Sequence, residues 1–410
     1  MASSCSTGKA VLVGLLTGSA LTVLATGLFS YLTHDKTTTN AEQEEETEQV
    51  SDNMQPDIVE GVDGLIGNTP LMKIRSLSEA TGCLVLGKAE FLNPGGSSKD
   101  RVALNMIRTA EAQHLIKPHT GSTIFEGTVG STGISIAMIA RAKGYKAWIV
   151  MPDDQAIEKY QLLEKLGATV EKVRPVSIID KKQFVNLARE RAATFHDGEA
   201  TGYFADQFEN EANFKAHYTF TGPEIYRQTA GKIDALVLGA GTGGTLSGIT
   251  CFLKEHIKDM KVFLADPQGS GLYNKVKYNV MYAPTEQEGT RRRHQVDTVV
   301  EGIGINRLTQ NFDRGRHLVD DAYRVTDEEA IKMSRYLVRE DGLFVGSSSS
   351  VNCVAAYRAA KRLGPGHVIV TLLNDSGQRH LTKFWSDEYL KAQDIYYELK
   401  PGETVRDFVN

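Results

Sequence analysis

The 410-residue chain is poor in cysteine, and its four cysteines, Cys5, Cys83, Cys251 and Cys353, lie far apart and form no CxxC pair. That excludes a disulfide framework and a cysteine zinc site, and it points to a reducing compartment. A basic surplus is also missing. Lys and Arg number 46 against 51 Asp and Glu, a net charge of -5, so nothing global favours nucleic acid as a partner. The basic run Arg291-Arg292-Arg293 reads as a solvated loop. Long uncharged apolar runs are absent after residue 31, which excludes a polytopic membrane protein. At 41% hydrophobic and 24% charged the chain can bury a core, which excludes wholesale disorder. Glycine is in excess: 38 residues exceed the usual ~7%, and this implies several tight turns where backbone approaches a ligand.

One apolar run stands apart. Residues 10–31 carry no charge across 22 positions, enough for a helix to span the ~30 Å hydrocarbon layer. Only Lys9 and the amino terminus precede it, and it contains no arginine, unlike a matrix presequence. It reads as an uncleaved transmembrane anchor, with a cleaved targeting segment as the alternative. Gly14 and Gly18 form a GxxxG pair that chance explains in so small-residue-rich a span. Residues 32–56, with Glu42, Glu44, Glu45, Glu46 and Glu48 crowded together, have no apolar periodicity and read as a disordered acidic tether.

From about residue 57 strands and helices alternate. CLVLGKAE reads as a buried strand, and Val102, Met106, Ile107 and Ala110 fall on one helical face after Lys99. Strands are expected at GSTIFEG, KAWIVMP, ATVEKV, DALVLG, KVFLADP and HVIVTLL, with helices between them and a glycine stop at Gly167. Such β-α alternation implies an α/β fold with parallel sheet, and ligands beyond the carboxyl ends of its strands.

Glycine- and serine-rich turns punctuate this pattern, each leading from a strand toward a helix. Gly239-Ala240-Gly241-Thr242-Gly243-Gly244 satisfies GxGxxG, and Asp266 follows at the end of the next strand, as in a dinucleotide fingerprint. Physically the turn states only that amides at a helix N-terminus can hold a phosphate. Asn93-Pro94-Gly95-Gly96-Ser97-Ser98 runs straight into Lys99, and a helix N-terminus lowers a lysine pKa, which suits an amine that must be neutral to form an imine. The bland reading is a surface lysine at a helix start. Thr128-Val129-Gly130-Ser131-Thr132-Gly133 offers amides and hydroxyls to a carboxylate, or is an ordinary N-cap turn. Gly346 and the serines 347–350 form a fourth turn of this kind.

Together these motifs resemble the cysteine synthase and cystathionine β-synthase family of fold-type II pyridoxal-phosphate enzymes, over roughly residues 57–390. Matching elements are NPGGSSKDR, GTGGT at 241–245, Gln207-Phe208 with Asn210 and Asn213, Glu301-Gly302-Ile303-Gly304 and Asp375-Ser376-Gly377-Gln378-Arg379. The resemblance implies two doubly wound three-layer αβα domains with pyridoxal 5'-phosphate between them, in a catalytic unit over 57–392 followed by a tail at 393–410. A smaller mobile domain is expected at roughly 104–205. Lys99 becomes the catalytic, cofactor-bound lysine, and Gly241, Thr242, Gly243, Gly244 and Thr245 the phosphate cradle. Ser348 would face the pyridine nitrogen and Ser131 the ring's 3′-oxygen. Thr128, Val129, Gly130, Ser131 and Thr132 would bind substrate, with Gln207 assisting. No metal is expected. The implied reaction turns O-acetyl-L-serine and sulfide into L-cysteine and acetate through an aminoacrylate. Family members are usually homodimers, and the anchor resembles that of a fungal mitochondrial outer-membrane form.

The chain departs from the family at the loop that usually reads TSGNTG. Ser131 is shorter than the family asparagine, Val129 removes a hydroxyl, and Ser350 replaces a glycine. Each lost charge-assisted contact costs about 1.5–3 kcal/mol, or about ten- to a hundred-fold in rate. The alternatives left open are cystathionine β-synthase-like or cysteine-degrading chemistry, a low-turnover pyridoxal-phosphate scaffold at the membrane, and a nicotinamide-dependent dehydrogenase.

Overall fold

The computed structural model describes residues 58–176, 178–198, 200–281 and 298–409. The expected anchor, tether and arginine triplet lie outside the described residues. Among these residues no helix is long and apolar enough to cross a membrane. Chain contacts set off residues 61–410 as one unit.

Two sheets organise that unit. The larger has six strands in the order β1 (Leu71–Lys73), β2 (Leu84–Ala89), β10 (Val368–Leu373), β7 (Ala235–Gly239), β8 (Lys261–Pro267) and β9 (Asp321–Val325). The smaller runs β5 (Thr169–Val173), β4 (Lys146–Pro152), β3 (Thr123–Gly127) and β6 (Gly202–Phe204). Every pairing is parallel except β1 with β2. Parallel strands need crossovers, and helices supply them on both faces of the large sheet.

Burial on both faces explains why its central strands read as continuous apolar runs. In β7, Ala235 and Val237 enter one core with the helices Asp327–Asp341 and Ser347–Leu363, while Leu236 and Leu238 enter another with the helix Gly244–His256. Ile369 and Leu373 of β10 face the first core, Val370 and Leu372 the second. The small sheet packs Ile124, Ala147, Ile149 and Met151 against Val102, Met106 and Ile107 of the helix Lys99–Ala112 and Ile136 and Ile139 of the helix Ser131–Lys143. At the far end of the chain Val405, Phe408 and Val409 pack into the first core.

The strands foreseen at β2, β3, β4, β5, β7, β8 and β10 are present. β1, β6 and β9 were not foreseen: two have three residues, and β9 is only partly buried, so none shows a clear apolar run.

Beneath the start of the Lys99 helix four charged side chains are buried together. Arg101 donates to Glu90 at 2.8 and 2.9 Å and to Glu224 at 2.6 and 2.7 Å. Lys88, at 0% exposure, donates to Glu224 at 2.6 Å, to Thr69 O and to Gln228. Burial pushes Glu90 and Glu224 up, yet the Arg101 guanidinium holds both below the ordinary carboxylate range. Burial lowers Lys88 despite Glu224. Removing one member of such a set strands the others, because the desolvation cost remains after the attraction is gone. Glu224→Gln is therefore expected to cost about 3–5 kcal/mol in urea unfolding. Asp197→Asn, which breaks the exposed 3.3 Å pair with Lys146, should cost under about 1 kcal/mol. Equal, small losses in both variants would show that the buried set is not structurally required.

Candidate active site

Loops at the carboxyl ends of strands in both sheets enclose a cavity of about 300 Å³. Its wall includes Lys99, Thr128, Val129, Ser131, Thr132, Gln207, Gly241, Thr242, Gly243, Thr245 and Ser348. Two expected residues support the wall without lining it. A Cβ on Gly130 would lie 2.5 Å from Lys159 Cδ, and one on Gly244 would collide with Asn213 Oδ1.

Lys99 is the first residue of its helix and reaches solvent only in part. Its amine has no hydrogen-bond or ion-pair partner among the described residues. Burial lowers its pKa, opposed by the negative charges of Asp375 and Glu90. An isolated β-bridge between Ser97 and Asp375, with Ser98 N–H donating to Asn374 O at 3.3 Å, sets the lysine beside the end of β10.

The glycine turn after β7 leads into the helix Gly244–His256. Gly243 has φ +84°, and a Cβ there would collide with Phe312 Cβ, so only glycine lets the two segments meet. Asn213 Nδ2 donates to Thr242 Oγ1 at 2.9 Å, and Thr309 Oγ1 to Thr242 O at 2.7 Å. These bonds fix the turn from outside. The first N–H groups of a helix lack intrahelical acceptors, so this end presents donors and a positive dipole to an anion. Thr245 Oγ1 lies 3.0 Å from His217 Nε2, whose other nitrogen meets Thr221 Oγ1 at 3.0 Å. Burial, with the positive charges of Lys99 and Arg101, holds His217 well below its ordinary pKa, so the ring is neutral. His217 was not foreseen, and no local sequence signal marks it.

In the loop after β3, Thr132 Oγ1 donates to Gln207 Oε1 at 2.5 Å, and Gln207 Nε2 to Gly127 O at 3.4 Å. Ser131 Oγ accepts from Arg379 Nη1 at 3.3 Å. The four serines divide their work. Ser347 Oγ accepts the Glu301 N–H, Ser348 Oγ accepts from Asn374 Nδ2 at 3.1 Å, Ser349 Oγ accepts the Asn374 N–H, and Ser350 Oγ bonds back to Gly346 O. Because Ser348 Oγ accepts from Asn374, its own proton is available to the cavity.

A charged chain on one side of the cavity was also missed. Lys159 pairs with Glu301, Lys383 Nζ reaches Glu301 at 3.3 Å, and His380 sits between Glu301 (3.1 Å) and Asp375 (2.9 Å). Burial lowers His380, but the two carboxylates win and raise it above its ordinary value. Glu301 and Asp375 belong to the family-like motifs, whereas Lys159 and Lys383 look like surface charges in the sequence. Asp266, the acidic residue of the dinucleotide fingerprint, is fully buried outside the cavity wall. It accepts the Tyr273 N–H at 2.7 Å and is pushed up to about 7 by burial.

Comparison with known proteins agrees with this site. A relative from Emericella nidulans named Cysteine synthase 2 is 62% identical over 344 residues, covering 81% of this chain and 80% of its own length. A Saccharomyces cerevisiae protein, provisionally named a mitochondrial cysteine synthase, is 55% identical over 350 residues, covering 84% and 88%. Among solved structures, the O-acetylserine dependent cystathionine beta-synthase from Helicobacter pylori superposes with a TM-score of 0.68 at 30% identity, covering 80% of this chain and 99% of that one. The family model described as pyridoxal-phosphate dependent enzyme matches residues 62–375, and the chain belongs to that family.

Proposed function

We propose that this chain is a cysteine synthase, replacing the acetoxy group of O-acetyl-L-serine with sulfide to give L-cysteine and acetate. One arrangement carries the reading: the Lys99 amine, without a partner among the described residues, shares a cavity with a glycine turn at a helix N-terminus and with the Ser348 hydroxyl. That donor set fits pyridoxal phosphate. Lys99 would hold its aldehyde carbon, Gly241 to Thr245 its phosphate, Ser348 its ring nitrogen, and Ser131 the side of its 3′-oxygen. When bound, the cofactor supplies an electron sink for charge developing at Cα of the amino acid.

The chain's own residues do the rest. Burial favours the neutral form of Lys99, so Nζ can take the Cα proton and later return it. Thr128 to Thr132 would take the substrate carboxylate through amides and hydroxyls, with Gln207 orienting the Thr132 hydroxyl. A hydroxyl at Ser348, in place of a carboxylate, keeps the electron sink weak, which favours loss of a group from Cβ over transamination. Val300, Ile303, Leu246 and Phe184 give the cavity apolar wall that limits access of water. The relatives named cysteine synthase support sulfide as the nucleophile.

Residues 10–31 would tether the enzyme to a membrane, which the uncharged run supports, and the yeast relative's name supports the mitochondrion, whose outer membrane would be the site. The catalytic unit would pair as a homodimer, and the strands β3 to β6 would belong to its smaller, mobile domain.

Lys99→Ala should abolish the visible absorbance of the lysine–cofactor bond and all synthase activity, while far-ultraviolet circular dichroism stays unchanged. Full activity in that variant would sink the assignment. In the unaltered protein that absorbance should shift on adding O-acetylserine and return on adding sulfide, with cysteine released. Indifference to O-acetylserine would redirect the search for the donor. Ser131→Asn should keep or raise kcat/KM for O-acetylserine; a tenfold fall would mean that the loop is tuned to another donor. Truncation of residues 1–31 should move the protein from the membrane to the soluble fraction of disrupted cells, and continued sedimentation with membranes would rule out that anchor.

A further inference from the structure

The charged chain beside the cavity has no part in the reaction as written, yet it joins the two walls that the reaction needs. Lys159 lies on the helix Ile157–Lys165, which packs with the small sheet. Its stem lies against the 128–133 loop at the cavity wall. Gly130 has φ +141°, and a Cβ there would fall 2.5 Å from Lys159 Cδ, so loop and lysine meet with nothing between them. The Lys159 side chain is only 3% exposed, and its ammonium pairs with Glu301.

Glu301 stands on the other wall. Its N–H is held by Ser347 Oγ at 3.0 Å, at the start of the helix Ser347–Leu363. The next residues touch the glycine turn: a Cβ on Gly241 would lie 2.7 Å from Gly302 O, and Gly304 N–H donates to Ala240 O at 2.8 Å. One short segment, 301–304, therefore braces the phosphate-side turn directly and the carboxylate-side loop through Lys159. His380 locks Glu301 in place. Both of its ring nitrogens face carboxylate oxygens, Nδ1 to Glu301 at 3.1 Å and Nε2 to Asp375 at 2.9 Å, which only the doubly protonated ring satisfies. The same seam is stitched twice more. Thr382 donates to the Glu158 carboxylate through N–H and Oγ1, each at 2.7 Å, and Lys383 Nζ donates to Asp154 O at 3.0 Å.

We propose that Lys159 is a positioning residue of this enzyme: anchored by Glu301, it holds the 128–133 loop against the substrate carboxylate and so sets the affinity for the amino-acid substrate. This rests on the cysteine synthase reading. A buried pair that only stabilised the fold would lower the apparent kcat through the amount of folded enzyme and leave both KM values unchanged. A brace behind the carboxylate loop acts on the amino acid alone, because sulfide carries no carboxylate.

The test uses the cofactor-loaded protein and two variants, Lys159→Met, which keeps the length of the stem and removes its charge, and Glu301→Gln. Each should raise KM for O-acetylserine at least tenfold and leave KM for sulfide within twofold. Each should also speed amide hydrogen exchange in residues 128–133 while the visible absorbance of the bound cofactor is kept. Lys159→Arg, which restores a cation on a long stem, should recover exchange protection. If KM for O-acetylserine stays within twofold of the unaltered enzyme and exchange in the loop does not change, the proposal is overturned. Should Lys159→Met fail to fold, Glu301→Gln decides by the same criteria. The exchange comparison is independent of turnover. An unaltered protein that binds cofactor and ignores O-acetylserine would defeat the functional reading while the exchange data still judged the brace.

Discussion

An amine with no partner among the described residues has to be held by its backbone, and for Lys99 that hold comes from two residues further along the chain. Arg101, in the first turn of the same helix, is gripped by Glu90 from one side and Glu224 from the other, with Lys88 completing the buried set. Each charge in this group would be prohibitive alone, and each is tolerated because its neighbours satisfy it. The group fixes the first turn of the helix to β2 and to the helix Gly222–Gln228. Lys99 can then be left desolvated, with its pKa lowered, at no cost in position. Separating the charges that hold the helix from the charge that acts lets one end of a helix be both rigid and reactive.

Sheet topology explains why the remaining groups arrive at the same place. Parallel strands of one sheet all end on the same side, so the turns after β7 and β10 converge there, and the small sheet brings the turn after β3 to the same cavity. Two of these turns run into helices, whose first N–H groups have no intrahelical acceptors. The serine run shows how densely such an edge is used. Four consecutive hydroxyls serve the 301 segment, the cavity, the end of β10 and their own helix in turn. Successive residues at a helix start point about 100° apart, so one run can meet four separate demands.

Much of this could be read in the sequence, and the reason is local. Strands buried on both faces leave continuous apolar runs, so β4 and β8 were placed to the residue. The turns at 93–98, 128–133, 239–245 and 346–350 announce themselves because glycine and serine ahead of a helix have few other uses, and eleven of the expected site residues do line one cavity. What was illegible depends on distance. Lys159, Lys383 and His217 sit in stretches whose composition fits solvated helix or loop, and their partners lie 142, 82 and 28 residues away. Gly130 and Gly244 were expected to touch ligand, and the space where a Cβ would stand is taken by Lys159 and Asn213. A glycine in such a loop reports that something comes close, and the sequence does not say whether that is ligand or protein.

The loop departure takes on a different meaning in this setting. By side-chain size alone Ser131 is a loss, a shorter group where the family carries an asparagine. Its hydroxyl, however, accepts from Arg379 at 3.3 Å, and Arg379 also approaches Gly96, where a Cβ would lie 2.9 Å from its Nη2. The guanidinium thus spans the lysine loop and the substrate loop, and it carries a full positive charge that an asparagine amide lacks. Charge near a carboxylate acts over several ångströms, whereas an amide must touch what it binds. The loop therefore keeps a cation within hydrogen-bond reach of its shorter hydroxyl. Its function is better judged by what Arg379 brings than by what Ser131 lacks.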